Sequence, residues 1–146
     1  MLKISVYIKF LGVSMSRLEQ RIENFQKSFE ILSKSVIAYN NDKQNDVMHM
    51  ALIQSFEVTF ELGRKVLKDY LEDKEIIVQF PKDVIKEAFQ KGVISEGQMW
   101  IDMLKDRNIS SHEYNMDKID KVLENISNIY FEEMKRFSQW LGGLNG

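Results

Sequence analysis

Residues 16–39 read SRLEQRIENFQKSFEILSKSVIAY. Their apolar side chains, Leu18, Ile22, Phe25, Phe29, Leu32 and Val36, recur at alternating steps of four and three. Only a turn of about 3.6 residues puts such positions on one face, so the spacing predicts an amphipathic helix. Ser16-Arg17-Leu18-Glu19 marks its start, a Ser-x-x-Glu capping box in which hydroxyl and carboxylate satisfy the first free amides. Asn40-Asn41-Asp42 marks its end, because these side chains favour turns.

Working outward, a second long helix runs from about Asn45 to Glu72, with Leu52, Phe56, Phe60, Leu67 and Leu71 on one stripe. Gly63 falls on the same side and marks a close approach between helices, since glycine there costs up to about 1 kcal/mol against alanine. Pro81 opens a short helix holding Val84, Ile85, Ala88 and Phe89 and stopping at Gly92. Ser95-Glu96-Gly97-Gln98 reads as a second capping box and starts a helix with Met99, Trp100, Met103 and Leu104. The last helix begins near Asn115 or Asp117, shows Ile119, Val122, Ile126, Ile129, Tyr130, Phe137 and Leu141, and ends at Gly142-Gly143. Three long helices and two short ones, joined by short connections, predict an all-α, antiparallel up-and-down bundle forming one domain over residues 15–146.

Composition agrees with this reading. The chain has 146 residues, with one Pro and seven Gly, so few breaks interrupt long elements. Area scaling buries about 69% of the unfolded surface at this size, enough for a core without covalent staples. No Cys and two His exclude a thiolate metal site and a Cys nucleophile and argue against a His-rich centre, so neither metal nor cofactor is expected. The net charge of −2 argues against general coating of nucleic acid, so any RNA contact must be local or depend on a partner. No apolar run reaches membrane-spanning length.

Residues 1–14 stand apart. Ile4, Val6, Ile8 and Phe10 alternate with polar side chains, as in a strand or an arm. Lys9 interrupts any signal-peptide core, which reads as a cytoplasmic protein. Either Met15 is the natural start, or the extension is an arm that packs on a partner.

The chemistry gathers in Arg107-Asn108-Ile109-Ser110-Ser111-His112-Glu113-Tyr114, which holds one of the two histidines. A guanidinium fork can hold a phosphate and an imidazole can move protons at neutral pH, a pair suited to metal-independent RNA cleavage. The same residues also suit a structural junction, with Arg107 paired to Asp102 or Asp106 and His112 capping a helix. Five residues span about 140° around a straight helix. Arg107 and His112 therefore converge only if the helix bends or ends between them, or if two chains share the site. Elsewhere, Glu57 and Glu61 could face the cleft but read rather as a solvated charged face, and His49 reads as a helix surface residue. Met48, Met50, Met99, Met103 and Trp100 read as core.

Arg107-Asn108-(three residues)-His112 resembles the R-x4-6-H signature of HEPN domains. Ile53-Gln54-Ser55-Phe56-Glu57, Phe60-Glu61-Leu62, Leu67-Lys68-Asp69-Tyr70-Leu71, Pro81 to Phe89 and Trp100 to Asn108 resemble its HepT-like, nucleotidyltransferase substrate-binding branch. The resemblance covers about Met15 to Tyr130, and Gly63-Arg64 departs from the family's aromatic-Lys step. It implies a bundle of four to five helices that forms a homodimer and joins two motifs at one cleft. It also implies a toxin–antitoxin pair with a minimal nucleotidyltransferase encoded nearby. In that pair this chain is the ribonuclease toxin, with Arg107 and His112 catalytic, Asn108 supporting them, and Tyr114 the residue that the partner adenylylates. The alternative is a non-catalytic subunit that binds nucleotide or phosphate for the nucleotidyltransferase.

Overall fold

The computed structural model describes residues 15–112 and 116–144, and the extension 1–14 lies outside them. Helix α1 spans Arg17–Asn41 and α2 spans Asp46–Asp73. α3 is Pro81–Gln90 and α4 is Gly97–His112. α5 comprises Met116–Asn125, a π-helical turn at Ile126–Tyr130, and Phe131–Leu144. No strand occurs among the described residues, so the expected all-α bundle of three long and two shorter helices is what forms.

The capping chemistry explains where the first two helices begin. Ser16 Oγ accepts from the Glu19 amide at 3.1 Å, and Asn45 Oδ1 accepts from Val47 and Met48. The four-residue link between the two helices makes them antiparallel neighbours with the most extensive contact in the fold. Two polar pairs lock their register: in the buried contact Ser28 Oγ lies 2.6 Å from Thr59 Oγ1, and the partly exposed Arg21 donates through Nε to the buried Asp69 at 3.1 Å. His49 belongs to this corner rather than to the helix surface, because its ring packs on Tyr39 and meets the Lys43 carbonyl.

Two helices end in the same six-residue device. After α3, Val93 N–H reaches the Ala88 carbonyl and Gly92 N–H reaches Phe89, with Gly92 at φ +75°. After α2, Ile76 N–H reaches Leu71 and Glu75 N–H reaches Glu72, with Glu75 at φ +65°, where glycine would be unstrained.

The core is aromatic. Phe25, Phe56, Phe60 and Trp100 are fully buried, and Phe137 meets Phe25 and Trp100 edge-on at centroid distances of 5.3 and 5.1 Å. A Cβ at Gly63 would stand 3.3 Å from Phe25 Cε2 and 3.5 Å from Trp100 Cη2, which is the close approach the sequence predicts. Trp100 Nε1 donates to the buried Glu133 at 3.0 Å, so the indole has its partner.

Several expectations are corrected. The α5 helix does not stop at Gly142-Gly143 but runs to Leu144, held by the fully buried Leu141. Ile129 leaves the core stripe and is exposed, because the π-helical turn shifts the phase of the helix. Phe89 is likewise largely exposed, as is Met50 on the outer side of α2, while Met103 is core as expected. Of the second capping box, Ser95 Oγ accepts from Arg136 and Gln98 donates to Asp102, so both side chains serve other contacts.

Candidate functional site

α4 buries Trp100 and Met103 on its inward stripe. The next positions of that stripe are 107 and 110, and there the side chains become polar. Arg107 and Ser110 are both half-buried, so a cation and a hydroxyl occupy places where the preceding turns carry core residues. The Nε atom of Arg107 is shielded from solvent.

α2 supplies the opposing surface. Ser110 Oγ lies 2.9 Å from Glu57 Oε1 and 3.0 Å from the Arg107 carbonyl oxygen, and its single proton serves both acceptors. Glu61, one turn further along, accepts from Nε and Nη2 of Arg64. Burial pushes the Glu61 carboxyl upward. The hydrogen bond and charge of Arg64, with the charges of Arg107 and Lys65, outweigh it and hold the group below its ordinary range. Glu57 and Glu61 are therefore not a solvated face. They are half-buried and line the junction with the Arg107 segment.

The other flank of the segment is held from α5. Asp106 Oδ2 accepts from the Tyr130 hydroxyl at 2.6 Å and from Asn125 Nδ2 at 2.9 Å. Tyr130 is almost fully buried, and its ring stacks on Phe56 at 5.7 Å. Burial, then the hydrogen bond to Asp106, pushes its phenol well above the usual range, so it stays protonated and donates.

Of the residues expected at the site, Arg107 is half-buried at this junction and Asn108 is exposed. The α4 backbone stays α-helical through His112, so the helix does not end between the two motif positions. The His112 side chain and Tyr114 lie outside the described residues. Among the described residues, no three carboxylates or imidazoles converge at metal-ligand spacing. No described helix is long and apolar enough to cross a membrane. The sequence reading weighed Asp106 as a partner of Arg107 but missed Asn125 and Tyr130, which donate to it. They come together from 19 and 24 residues apart, and no local pattern announces it.

Comparison with known proteins agrees with this architecture. Residues 20–142 match the family described as nucleotidyltransferase substrate binding protein like. A Haemophilus influenzae protein named "Probable ribonuclease HepT" is 30% identical over 92 residues, which is 60% of this chain and 63% of that one. A Haemophilus influenzae structure is described as revealing the fold of a substrate binding domain of a nucleotidyltransferase. It is 26% identical with a TM-score of 0.70, over 82% of this chain and 98% of that one. A Shewanella oneidensis HEPN toxin, tri-AMPylated and in complex with MNT antitoxin, shares the fold. Its TM-score is 0.72 at 16% identity, over 88% of this chain and 99% of that one.

Proposed function

The chain belongs to the nucleotidyltransferase substrate binding protein like family, and from that membership we propose that it is a HepT-like toxin acting as a metal-independent endoribonuclease. Arg107 and His112 are its catalytic pair, with Asn108 in support. In the reaction His112 takes the proton of an RNA 2′-OH, and the 2′-oxygen attacks the adjacent phosphorus. The bond to the 5′-oxygen breaks, that oxygen regains a proton, and Arg107 offsets the charge on the phosphorane. The products are a 2′,3′-cyclic phosphate and a 5′-hydroxyl end.

One observation carries this reading. Arg107 takes a core-facing place beside two glutamates, on a helix that continues unbroken through position 112. Positions 107 and 112 of one helix are then about 140° apart, so convergence on one phosphate is best met by two copies sharing a cleft. A structural neighbour supports a partner as well. The Shewanella oneidensis neighbour is a HEPN toxin in complex with MNT antitoxin, and we extend that pairing to this chain, with a minimal nucleotidyltransferase as the partner and Tyr114 as the residue that receives adenylate.

The test is RNA cleavage in EDTA by wild type, Arg107→Ala and His112→Ala proteins. Wild type is expected to cut and the variants to lose activity; a wild type no faster than the variants refutes the nuclease reading for the RNAs used. Mixing the two variants tests the sharing. Exchange of subunits restores one intact Arg107–His112 pair of the two in each mixed dimer, and with about half of the dimers mixed, up to about a quarter of wild-type activity. No recovery after exchange means that each chain carries its own site. Intact mass after incubation with the neighbouring nucleotidyltransferase and ATP tests Tyr114, where no added adenylate refutes the modification.

The second reading, a non-catalytic subunit that presents nucleotide or phosphate, is favoured by the Haemophilus influenzae substrate binding domain. It predicts RNA or nucleotide binding that Arg107→Ala weakens, without any cleavage.

A further inference from the structure

Asn125 and Tyr130 are five residues apart, and on a straight α-helix that step turns about 140°. Both nevertheless donate to one atom, Asp106 Oδ2, at 2.9 and 2.6 Å. The π-helical turn Ile126–Tyr130 reconciles these facts. Its hydrogen bonds run from i to i+5, as in Phe131 N–H to the Ile126 carbonyl, so residues five apart come to nearly the same side. Ile129, which ordinary helical spacing would turn inward, is exposed as a result. The wide turn thus gives up one apolar contact and directs two donors at a single carboxylate.

That carboxylate immediately precedes Arg107. Tyr130 is 4% exposed and its ring stacks within 18° of parallel on Phe56, the neighbour of Glu57. One buried phenol therefore touches the α2 turn that carries Glu57 and the α4 turn that carries Arg107. Ser110, one turn beyond Arg107, is tied to Glu57 from the other side. The α4 end is gripped on two flanks by side chains rather than by apolar packing alone.

We propose that Tyr130, presented by the π-helical turn, is a positioning residue that sets the orientation of the Arg107 segment through Asp106. The proposal rests on the nuclease reading only for its effect on rate. The geometric claim, that the hydroxyl holds the last turns of α4, stands without it. π-Helical turns persist where a side chain must be re-aimed, because the inserted residue otherwise weakens the helix.

Four full-length proteins test it: wild type, Tyr130→Phe, Asp106→Asn and Asp106→Ala. Tyr130→Phe keeps the ring on Phe56 and removes only the donor. Asp106→Asn keeps an acceptor for both donors, and Asp106→Ala removes it. Two readouts are taken on each, native-state amide exchange resolved by residue and steady-state RNA cleavage in EDTA.

In Tyr130→Phe and Asp106→Ala, exchange at residues 107–110 is expected to rise about fivefold, the worth of one net hydrogen bond. Exchange at the α2 core, Phe60 to Leu67, stays within twofold of wild type. The kcat for RNA falls about tenfold with KM within twofold, as expected when a bound group is misaligned rather than lost. Asp106→Asn restores both readouts to within about threefold of wild type. Unchanged exchange at 107–110 in Tyr130→Phe overturns the proposal, as does an equal rise across the α2 core, which would mean general destabilisation. Failure of Asp106→Asn to outperform Asp106→Ala overturns it as well. If wild type cuts no RNA, the nuclease reading fails by itself, and the exchange data still decide whether Tyr130 holds the segment.

Discussion

Replacing Arg136 by Met should destabilise the protein more than replacing Arg136 and Glu133 together. The Glu133 side chain is 5% exposed, while that of Arg136 is 51% exposed. One carboxylate oxygen accepts from Trp100 Nε1 at 3.0 Å, and the other accepts from Arg136 Nε at 3.1 Å and from Nη2. Methionine keeps most of the arginine stem but removes the cation. It leaves a buried carboxylate with the indole as its remaining described donor. Removing one partner of a fully buried pair costs about 3–5 kcal/mol. Solvent already reaches the arginine side here, so the expected cost is about 2 kcal/mol. For a chain of this size that lowers Tm by about 4–8 °C. Glu133→Gln added to Arg136→Met removes the stranded charge and leaves an amide oxygen for the indole. The double variant should then recover to within about 1 kcal/mol of wild type. Thermal unfolding followed at 222 nm, with urea titration to check that m is unchanged, measures this. A double variant no more stable than Arg136→Met refutes the reasoning, because Glu133 would then not be behaving as a buried charge.

Thr59→Val strands the Ser28 hydroxyl, 2.6 Å away in the buried α1–α2 contact, and should cost about 1–2 kcal/mol. Adding Ser28→Ala should return part of that, and strictly additive urea-derived stabilities would contradict the pairing. Glu75→Gly should raise Tm by about 1–4 °C, because Glu75 holds φ +65° in the turn that ends α2; an unchanged or lower Tm counts against strain there. The Glu61 carboxyl is held below its ordinary range, so its contribution is complete above that range and disappears as pH falls through the lowered folded value. Glu61→Gln should therefore flatten the loss of Tm between about pH 5 and 3, and parallel profiles would count against the ion pairing. Tyr130 has the opposite sign. Its raised phenol contributes fully below the usual value of 10.0, and that contribution is lost as pH rises above it, so Tyr130→Phe should lose less stability in alkali than wild type.

The helices were legible because their signals are local. The stripe from Leu18 to Val36 needs only the period of the backbone, and the Ser16 and Asn45 caps act within three residues. Where the sequence misled, packing had overruled a local rule. Gly142-Gly143 reads as a helix stop, yet Leu141 anchors the turn in the core and the helix continues. Ile126, Ile129 and Tyr130 read as one ordinary α-helical stripe. The extra residue of the π-helical turn is invisible in apolar spacing, because it serves polar contacts to a helix elsewhere in the chain.

The site divides the same way. Arg107-Asn108-(three residues)-His112 and its flanking segments were enough to place the chain near its family, since a motif is a matter of residue identity and spacing. The setting of Arg107 was not legible. Two glutamates on α2 at i and i+4 read as a solvated face rather than as a lining. Only the packing of α4 across α2 turns them toward Arg107 and Ser110. By itself the sequence determined helix number, helix boundaries to within a few residues, and the identity of the motif, all of which depend on side chains close in the chain. Tertiary structure alone decided which distant polar groups stand beside that motif, because Tyr130 reaches Asp106 from α5 and Glu57 meets Ser110 from α2, and such distances are set by how the helices pack and by no periodicity within any one of them.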